Sequence, residues 1–317
     1  MGAPPRLPHH SEMTFDAKTP QFSLNGHPVD DAPNCCGVYR FFGVDGALLY
    51  IGKSIDIRTR VRSHFADARK PGRQQRMMSL VSRIDCQPTA GEFGALLLEN
   101  AAIKAEAPLF NRRQRRARSL WTITLQAGDD GFLQPSARDF AADGDRDQDS
   151  FGLYHNRHHI ESSLRRHARD HGLCLRVMGL DRGSGPCFQH QLKRCRGACA
   201  GRESAAAHNR RLQAVLDDER ILAWPYSGSI ALVERAENPL PGQPQQEWQL
   251  VNHWSFCGSF ANARATRAAA RAPGNALFDR DAYRILLNAM RSGRVEVLDA
   301  LSGAPVEPLF GEAREAS

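Results

Sequence analysis

Gly37 to His64 reads GVYRFFGVDGALLYIGKSIDIRTRVRSH, and this stretch decides the fold. Val38 to Phe42 is rich in β-branched and aromatic residues, which suit a pleated, half-buried surface. Asp45-Gly46 is a hairpin signal, because glycine accepts the positive φ of a tight primed turn. Ala47 to Ile51 is the return strand. A turn of only those two residues pairs Phe41 with Tyr50 and Tyr39 with Gly52. Side chains alternate faces along a strand. Tyr39, Phe41 and Tyr50 then share one face, and Gly52 leaves space opposite Tyr39. Lys53 follows, and then a helix with Asp56 as its N-cap. Ile57, Val61 and Phe65 form the apolar stripe expected to face the core. Arg60 and His64 lie side by side at the edge of that stripe, while Arg58 and Arg62 point to solvent.

Downstream, Arg73 to Leu80 predicts a short helix and Val81 to Gln87 a third strand. Glu92 to Ala107 predicts a long helix ended by Pro108. Glu99 shares a helix face with Leu96 and Ile103. A carboxylate on an apolar stripe needs a partner. At the stripe's edge it simply reaches water; the sharper reading is a divalent cation, since a carboxylate is a hard oxygen ligand. Hairpin, third strand and helices make a small α/β (α+β) domain around a three-stranded antiparallel sheet.

The spacing between the tyrosines of GVY and YIGKS resembles that of the GIY-YIG nucleases, and more narrowly the UvrC family in its short, Cho-type form. The resemblance covers about residues 33 to 113 and continues more weakly to about 200. It implies a catalytic set of Tyr39, Tyr50, Lys53, Arg60, His64, Glu99 and Asn111, the last from the sequence PLFN. In that set Glu99 holds Mg²⁺ or Mn²⁺, and Tyr39 is the general base for the attacking water. Arg60, Tyr50 and His64 bind the scissile phosphate, and Asn111 orients the Glu99 helix or the polar network. A free phenol is too weakly acidic to ionise at neutral pH, so a neighbouring Lys53 ammonium and the cation's field are expected to favour the phenolate. Taken singly, Tyr39 and Tyr50 read as ordinary sheet tyrosines; the whole set carries the chemistry. One departure is Cys36, which stands where the family has proline.

Arg112, Arg113, Arg115, Arg116 and Arg118 come directly after. Such a run is either a solvated charge cluster or a DNA-backbone contact, and beside a nuclease site the second is expected. The net charge of +7 and the pI of about 9.2 suit a polyanionic partner. Composition is ordinary for a globular chain, 41% hydrophobic and 24% charged, long enough for two or three small domains. No apolar run is long enough for a membrane span, and no signal-peptide pattern opens the chain, so the cytoplasm is the expected location.

Cys174, Cys187, Cys195 and Cys199 stand twelve, seven and three residues apart. Four thiolates in a reducing compartment can hold a [4Fe–4S] cluster or Zn²⁺. The absence of a tight CxxC pair weakens structural zinc, and the spacing resembles the iron–sulfur cysteines of UvrC-type proteins. His171 and His190 keep a mixed Cys/His zinc site open, and simple burial of unliganded cysteines is the plain reading. Cys35, Cys36, Cys86 and Cys257 have no spacing logic.

Four regions follow from this reading: a loose N-terminal tail over 1–32, the nuclease domain over 33–118, a linker and Cys-rich module over 119–204, and an α+β unit of unknown role over 205–317. In the third, Leu120 to Leu125 predicts a strand and Asn156 to Asp170 a helix, after a flexible loop at about 141–150. In the fourth, a helix over Glu203 to Ala223, strands over Ser227 to Arg235 and Glu247 to Phe256, and a helix over Asp281 to Arg291 are expected. The resemblance implies an endonuclease of nucleotide excision repair that incises damaged double-stranded DNA 3′ to the lesion, with UvrB, and UvrA upstream, as partners. Two other classes stay open: a stand-alone GIY-YIG nuclease on branched or mobile-element DNA, and a non-catalytic iron–sulfur DNA-binding protein.

Overall fold

The structure is a computed structural model that describes residues 21–22, 31–111, 120–140, 149–183, 185–274, 278–307 and 309–310. They form two compact units. One combines Met1–Ala117 with Trp224–Ser317, and the other is Arg118–Ala223.

The first unit begins with strand β1 (Gln21–Phe22), β2 (Gly37–Phe42) and β3 (Leu48–Ser54). Helices α1 (Ile57–Asp67) and α2 (Arg73–Met78), strand β4 (Arg83–Pro88) and helix α3 (Glu92–Glu106) follow. The sheet order is β1-β4-β2-β3, antiparallel throughout. The expected three-stranded sheet is its body, and β1 adds a two-residue edge from the segment read as a loose tail. Tyr39 pairs with Gly52 and Phe41 with Tyr50, the expected register. The turn itself differs. Gly43 N donates to Ala47 O at 2.9 Å, and Gly46 has φ +77, so the loop is longer than two residues. Phe42 then faces Leu48, and Leu49 is the extra residue of a bulge that returns the tyrosines to register.

Asp56 caps α1, its side chain accepting from Thr59 N at 3.0 Å. Ile57 and Val61 are fully buried, worth about 1.5–3 kcal/mol each. Phe65 does not complete the stripe: it is 36% exposed, and His64, at 5%, takes the core position. Helical periodicity explains the correction, because seven residues bring the chain almost back to the angle of Ile57 and eight overshoot it. On α3, Leu98, Ala102 and Ile103 pack with Val38 and Ile51.

The second unit holds β5 (Leu120–Ala127), β6 (Leu133–Phe140) and β7 (Phe151–Tyr154) in the order β6-β5-β7. Helices α4 (Arg157–His171), the short α5 (Phe188–Gln191) and α6 (Ala205–Asp217) complete it. Its core joins Ile123, Phe151, Ile160, Leu164, Leu212 and Leu216. Part of the loop expected at 141–150 lies outside the described residues.

The chain then returns to the first unit with β8 (Ile230–Arg235), β9 (Gln246–Asn252) and β10 (Ser255–Phe260), helices α7 (Ala263–Ala270) and α8 (Arg280–Ser292), and β11 (Glu296–Asp299). The sheet order is β10-β9-β8-β11. The single strand expected over Glu247 to Phe256 is two strands, turned at His253 and Trp254. Among the described residues no helix is long and apolar enough to cross a membrane.

Candidate active site and metal centre

The hairpin, α1 and α3 converge on one cluster. Tyr39 on β2 is 1% exposed, and its Oη lies 2.7 Å from His64 Nε2 on α1. The Tyr39, Tyr50 and His64 rings stand 5.4–6.1 Å apart, centroid to centroid. Gly52 makes this possible: a Cβ there would overlap Tyr39 Oη and lie 2.8 Å from Tyr50 Cε1. The space expected opposite Tyr39 is therefore filled by the phenols themselves.

His64 is pushed down to about 4, by burial first and by the Arg60 charge second, so the ring is neutral near pH 7. Gln74 on α2 contacts its Nδ1. A neutral imidazole carries one N–H, so Nε2 donates to or accepts from Tyr39 according to tautomer. Burial pushes the Tyr39 phenol far above its ordinary value, with Tyr50 adding to the effect, and the Arg60 guanidinium pulls it back. Tyr50 is raised by burial and by Glu99, and lowered by Arg60. The cation expected to favour the phenolate was Lys53, but the Lys53 amine pairs with Glu92. Arg60, exposed and next to both phenols, is the cation that opposes their burial.

Glu99 is half-buried on α3, and its Oε1 accepts from Lys53 N on β3 at 3.0 Å. Burial raises its carboxyl, against the Lys53 N–H and the Lys53 and Arg60 charges. Asn111 bonds to strand β3. Its side chain pairs with the backbone of Ile51, accepting from N and donating to O, both at 2.9 Å. It acts like one residue of a neighbouring strand and holds β3 beside Tyr50. Three neighbours escaped the sequence reading: Gln74 against His64, Glu92 against Lys53, and Arg73, which donates to Phe110 O and lowers Tyr50. RQQ at the start of a short helix was the signal available for Arg73 and Gln74. Arg112, Arg113, Arg115, Arg116 and Arg118 lie outside the described residues.

In the other unit the four spaced cysteines come together. The sulfurs of Cys174, Cys187, Cys195 and Cys199 all lie within 4.8 Å of one another. Cys174 and Cys187 are 3.8 Å apart, and Cys187 and Cys195 3.6 Å. The loops bring N–H groups to the sulfurs: Cys187 N to Cys199 Sγ at 3.2 Å and Gly197 N to Cys195 Sγ at 3.4 Å. Buried His208 accepts from Cys174 N at 3.1 Å and so supports the loop from outside. His171 and His190 are not in the group, which among the described residues is sulfur-only.

Comparison with known proteins covers most of the chain. Residues 35–112 match the UvrC-like GIY-YIG domain, 121–218 the UvrC/Cho excinuclease middle domain, and 229–303 the excinuclease Cho C-terminal domain. Excinuclease cho of Salmonella typhi is 39% identical over 276 residues, which span 86% of this chain and 88% of that protein. The Escherichia coli K12 excinuclease cho is 36% identical over the same shares. UvrABC system protein C of Dechloromonas aromatica is 34% identical over 196 residues, 61% of this chain and 30% of that protein. Fold, cluster and relatives agree: the chain belongs to the Cho group of UvrC-like GIY-YIG excinucleases and is a nuclease, a phosphodiester hydrolase.

Proposed function

We propose that this nuclease incises the damaged strand of double-stranded DNA 3′ to a lesion, in nucleotide excision repair, after UvrA and UvrB have located the damage. The observation that carries the chemical part is the gathering of Tyr39, His64 and Arg60 on one side of the hairpin, with Glu99 of α3 reaching β3 at Lys53 and acting on the same phenols. The repair role rests on the likeness to excinuclease Cho and to UvrABC system protein C. The reducing cytoplasm is the matching location.

Glu99 fits a divalent cation such as Mg²⁺ or Mn²⁺. It is a hard oxygen donor, half-buried, with Oε1 fixed by the backbone of β3 and Oε2 free of any hydrogen bond among the described residues. When bound, the cation supplies Lewis-acid stabilisation of the leaving oxygen. The chain's own residues do the rest. Tyr39, in the phenolate form that Arg60 favours, takes the proton of the attacking water and becomes the phenol, while neutral His64, in its Nε2–H tautomer, donates a hydrogen bond to the phenolate oxygen. Arg60 stabilises the phenolate and pairs two phosphate oxygens through its planar fork. Tyr50 and Lys53 flank the phosphate, and Asn111 keeps β3, and hence Tyr50, in place.

Cys174, Cys187, Cys195 and Cys199 hold a metal centre. Their spacing resembles the iron–sulfur cysteines of the family, which favours [4Fe–4S]. A second reading rests on the sulfur distances: with Zn–S near 2.3 Å, a tetrahedral ion sets its sulfurs about 3.8 Å apart. The observed 3.6 and 3.8 Å match that single ion, and four irons require a wider cradle. DNA-backbone contacts come from Arg112, Arg113, Arg115, Arg116 and Arg118. A recess of about 450 Å³ beside Cys195, where Lys193, Arg194, Arg196, Arg211 and His171 outnumber the one carboxylate, Asp170, supplies more.

The test is an end-labelled duplex with one bulky lesion, incubated with Mg²⁺, with and without UvrA and UvrB. A single cut on the 3′ side only when both are present supports the repair role. Cutting without them, or cutting of undamaged branched DNA, moves the protein to the stand-alone class.

A further inference from the structure

Helix α3, which carries Glu99, has no N-terminal cap of its own. Gly91 stands at the N-cap and offers no side chain to the free N–H groups of the first turn. The C-terminal sheet takes them instead. Glu234 on β8 accepts from Phe93 N at 3.0 Å with one oxygen and from Gly94 N at 2.8 Å with the other. Just before the N-cap, Ala90 N donates to Glu247 on β9 at 3.0 Å. Carboxylates at a helix N-terminus also meet the positive end of its dipole. The approach needs two glycines in the sequence AGEFGALLLE. A Cβ on Gly91 would overlap Glu234 Oε1, and one on Gly94 would lie 2.8 Å from Gln249 Nε2 and 3.0 Å from Glu247 Oε2. Glycine is unfavourable inside a helix, so the notch is kept at a cost in helix stability.

The far end of α3 is tied as well. Asp279, the N-cap of α8, accepts from Asn100 Nδ2 at 2.8 Å and pairs with Lys104. Lys104 also donates to Asn100 Oδ1 at 2.7 Å and reaches Asp281 at 3.2 Å. Phe93, Asn100 and Lys104 recur at helical spacing on one face, and Glu99 points round the helix towards the hairpin. Glu99 therefore lies between two fastenings made by the same C-terminal sheet and helix.

We infer that the C-terminal region is a splint for α3, and that Glu234 is the positioning residue that fixes where Glu99 presents its carboxylate. This rests on the reading of Glu99 as a cation ligand. Small displacements of a reacting group cost large factors in rate, so holding both ends of α3 has a direct return in cation affinity and cutting. It gives residues 224 onward a task.

The test uses the full chain and Mn²⁺ as the probe, with free Mn²⁺ followed by electron paramagnetic resonance. Glu99→Ala defines the binding that belongs to the site. Glu234→Gln keeps size but replaces one accepting oxygen with a donor; Lys104→Met releases the other end. Each is expected to weaken Glu99-dependent Mn²⁺ binding about tenfold or more, and to raise the Mg²⁺ half-saturation of cutting by the same factor, with DNA affinity unchanged in EDTA. Gly94→Ala raises intrinsic helix preference, so a self-supporting α3 would bind Mn²⁺ as before, whereas the splint requires weaker binding. Wild-type Mn²⁺ affinity in folded Glu234→Gln and Gly94→Ala overturns the splint. Wild-type Mn²⁺ binding by Glu99→Ala overturns the cation reading itself, a separate and distinguishable result.

Discussion

Tyr39 Oη lies 2.7 Å from His64 Nε2, inside the packing between strand β2 and helix α1. Both groups are buried, and the imidazole is held neutral. The pair gives the phenol a neutral hydrogen-bond partner, which accepts its O–H or donates to its oxygen according to tautomer. Tyr39→Phe keeps the ring, which packs 5.2 Å from Phe41, and removes only the oxygen. Cutting is expected to fall about 10²–10⁴-fold with DNA binding retained, read by single-turnover incision. Wild-type rates would remove Tyr39 from the chemistry.

Gly52→Ala tests the fit of the two phenols. The new methyl would overlap Tyr39 Oη and crowd Tyr50. A loss of about 1–3 kcal/mol in stability is expected, together with a loss of cutting larger than that destabilisation explains. Thermal unfolding and incision measured on the same sample separate the two effects.

Asn111→Ala strips the partners from Ile51 N and O in a buried place. Two unsatisfied backbone groups cost about 2–4 kcal/mol together. Denaturant unfolding should show that loss, while Asn111→Asp, which cannot donate to Ile51 O, recovers only part of it.

Two buried groups make opposite contributions to the pH dependence of stability. His64 falls from 6.5 to about 4 on folding, so its contribution is present above pH 6.5 and lost as pH falls towards 4. Glu247 rises from 4.5 to about 7, through burial first and Glu234 among the opposing and reinforcing groups, so its contribution is present below pH 4.5 and lost as pH rises towards 7. Each is worth at most about 3 kcal/mol. His64→Gln should leave a chain whose stability declines more steeply from pH 4.5 to 7 than the wild type. Glu247→Gln should leave one that gains stability over the same window. Parallel curves for all three proteins would contradict both assignments.

Much of the nuclease half was legible because its signals are local. Alternation of Tyr39, Phe41, Tyr50 and Gly52 across the hairpin fixes which side chains meet, and the bulge at Leu49 absorbed the error in loop length. His64 was misplaced at the stripe's edge because a histidine reads as polar, although its helical angle matches Ile57. Strand β6 was hidden by Pro135 and its polar residues, and β7 by its shortness. The turn between β9 and β10 escaped because it is built from His253 and Trp254, both at positive φ, in place of the usual glycine or asparagine. Packing holds it: Trp254 is buried, with ring centroids 5.2 Å from Trp224 and 5.1 Å from Tyr283. The capping of α3 by Glu234 had no signal at all, since donor and acceptor are far apart in the chain.

Cys195→Ser removes one of the four clustered sulfurs proposed to hold the metal. Protein purified without oxygen should carry iron and visible charge-transfer absorbance if the centre is [4Fe–4S], and the variant should lose both. A colourless wild type with one zinc per chain would establish the single-ion reading drawn from the 3.6 and 3.8 Å sulfur distances.

Glu99→Ala is the most direct test of the cutting centre, measured as Mg²⁺-dependent incision of a lesion-bearing duplex beside the wild type, at equal DNA occupancy. The expected result is no detectable incision with DNA binding unchanged. Equal incision by the two proteins would contradict the placement of the active site on the hairpin, α1 and α3.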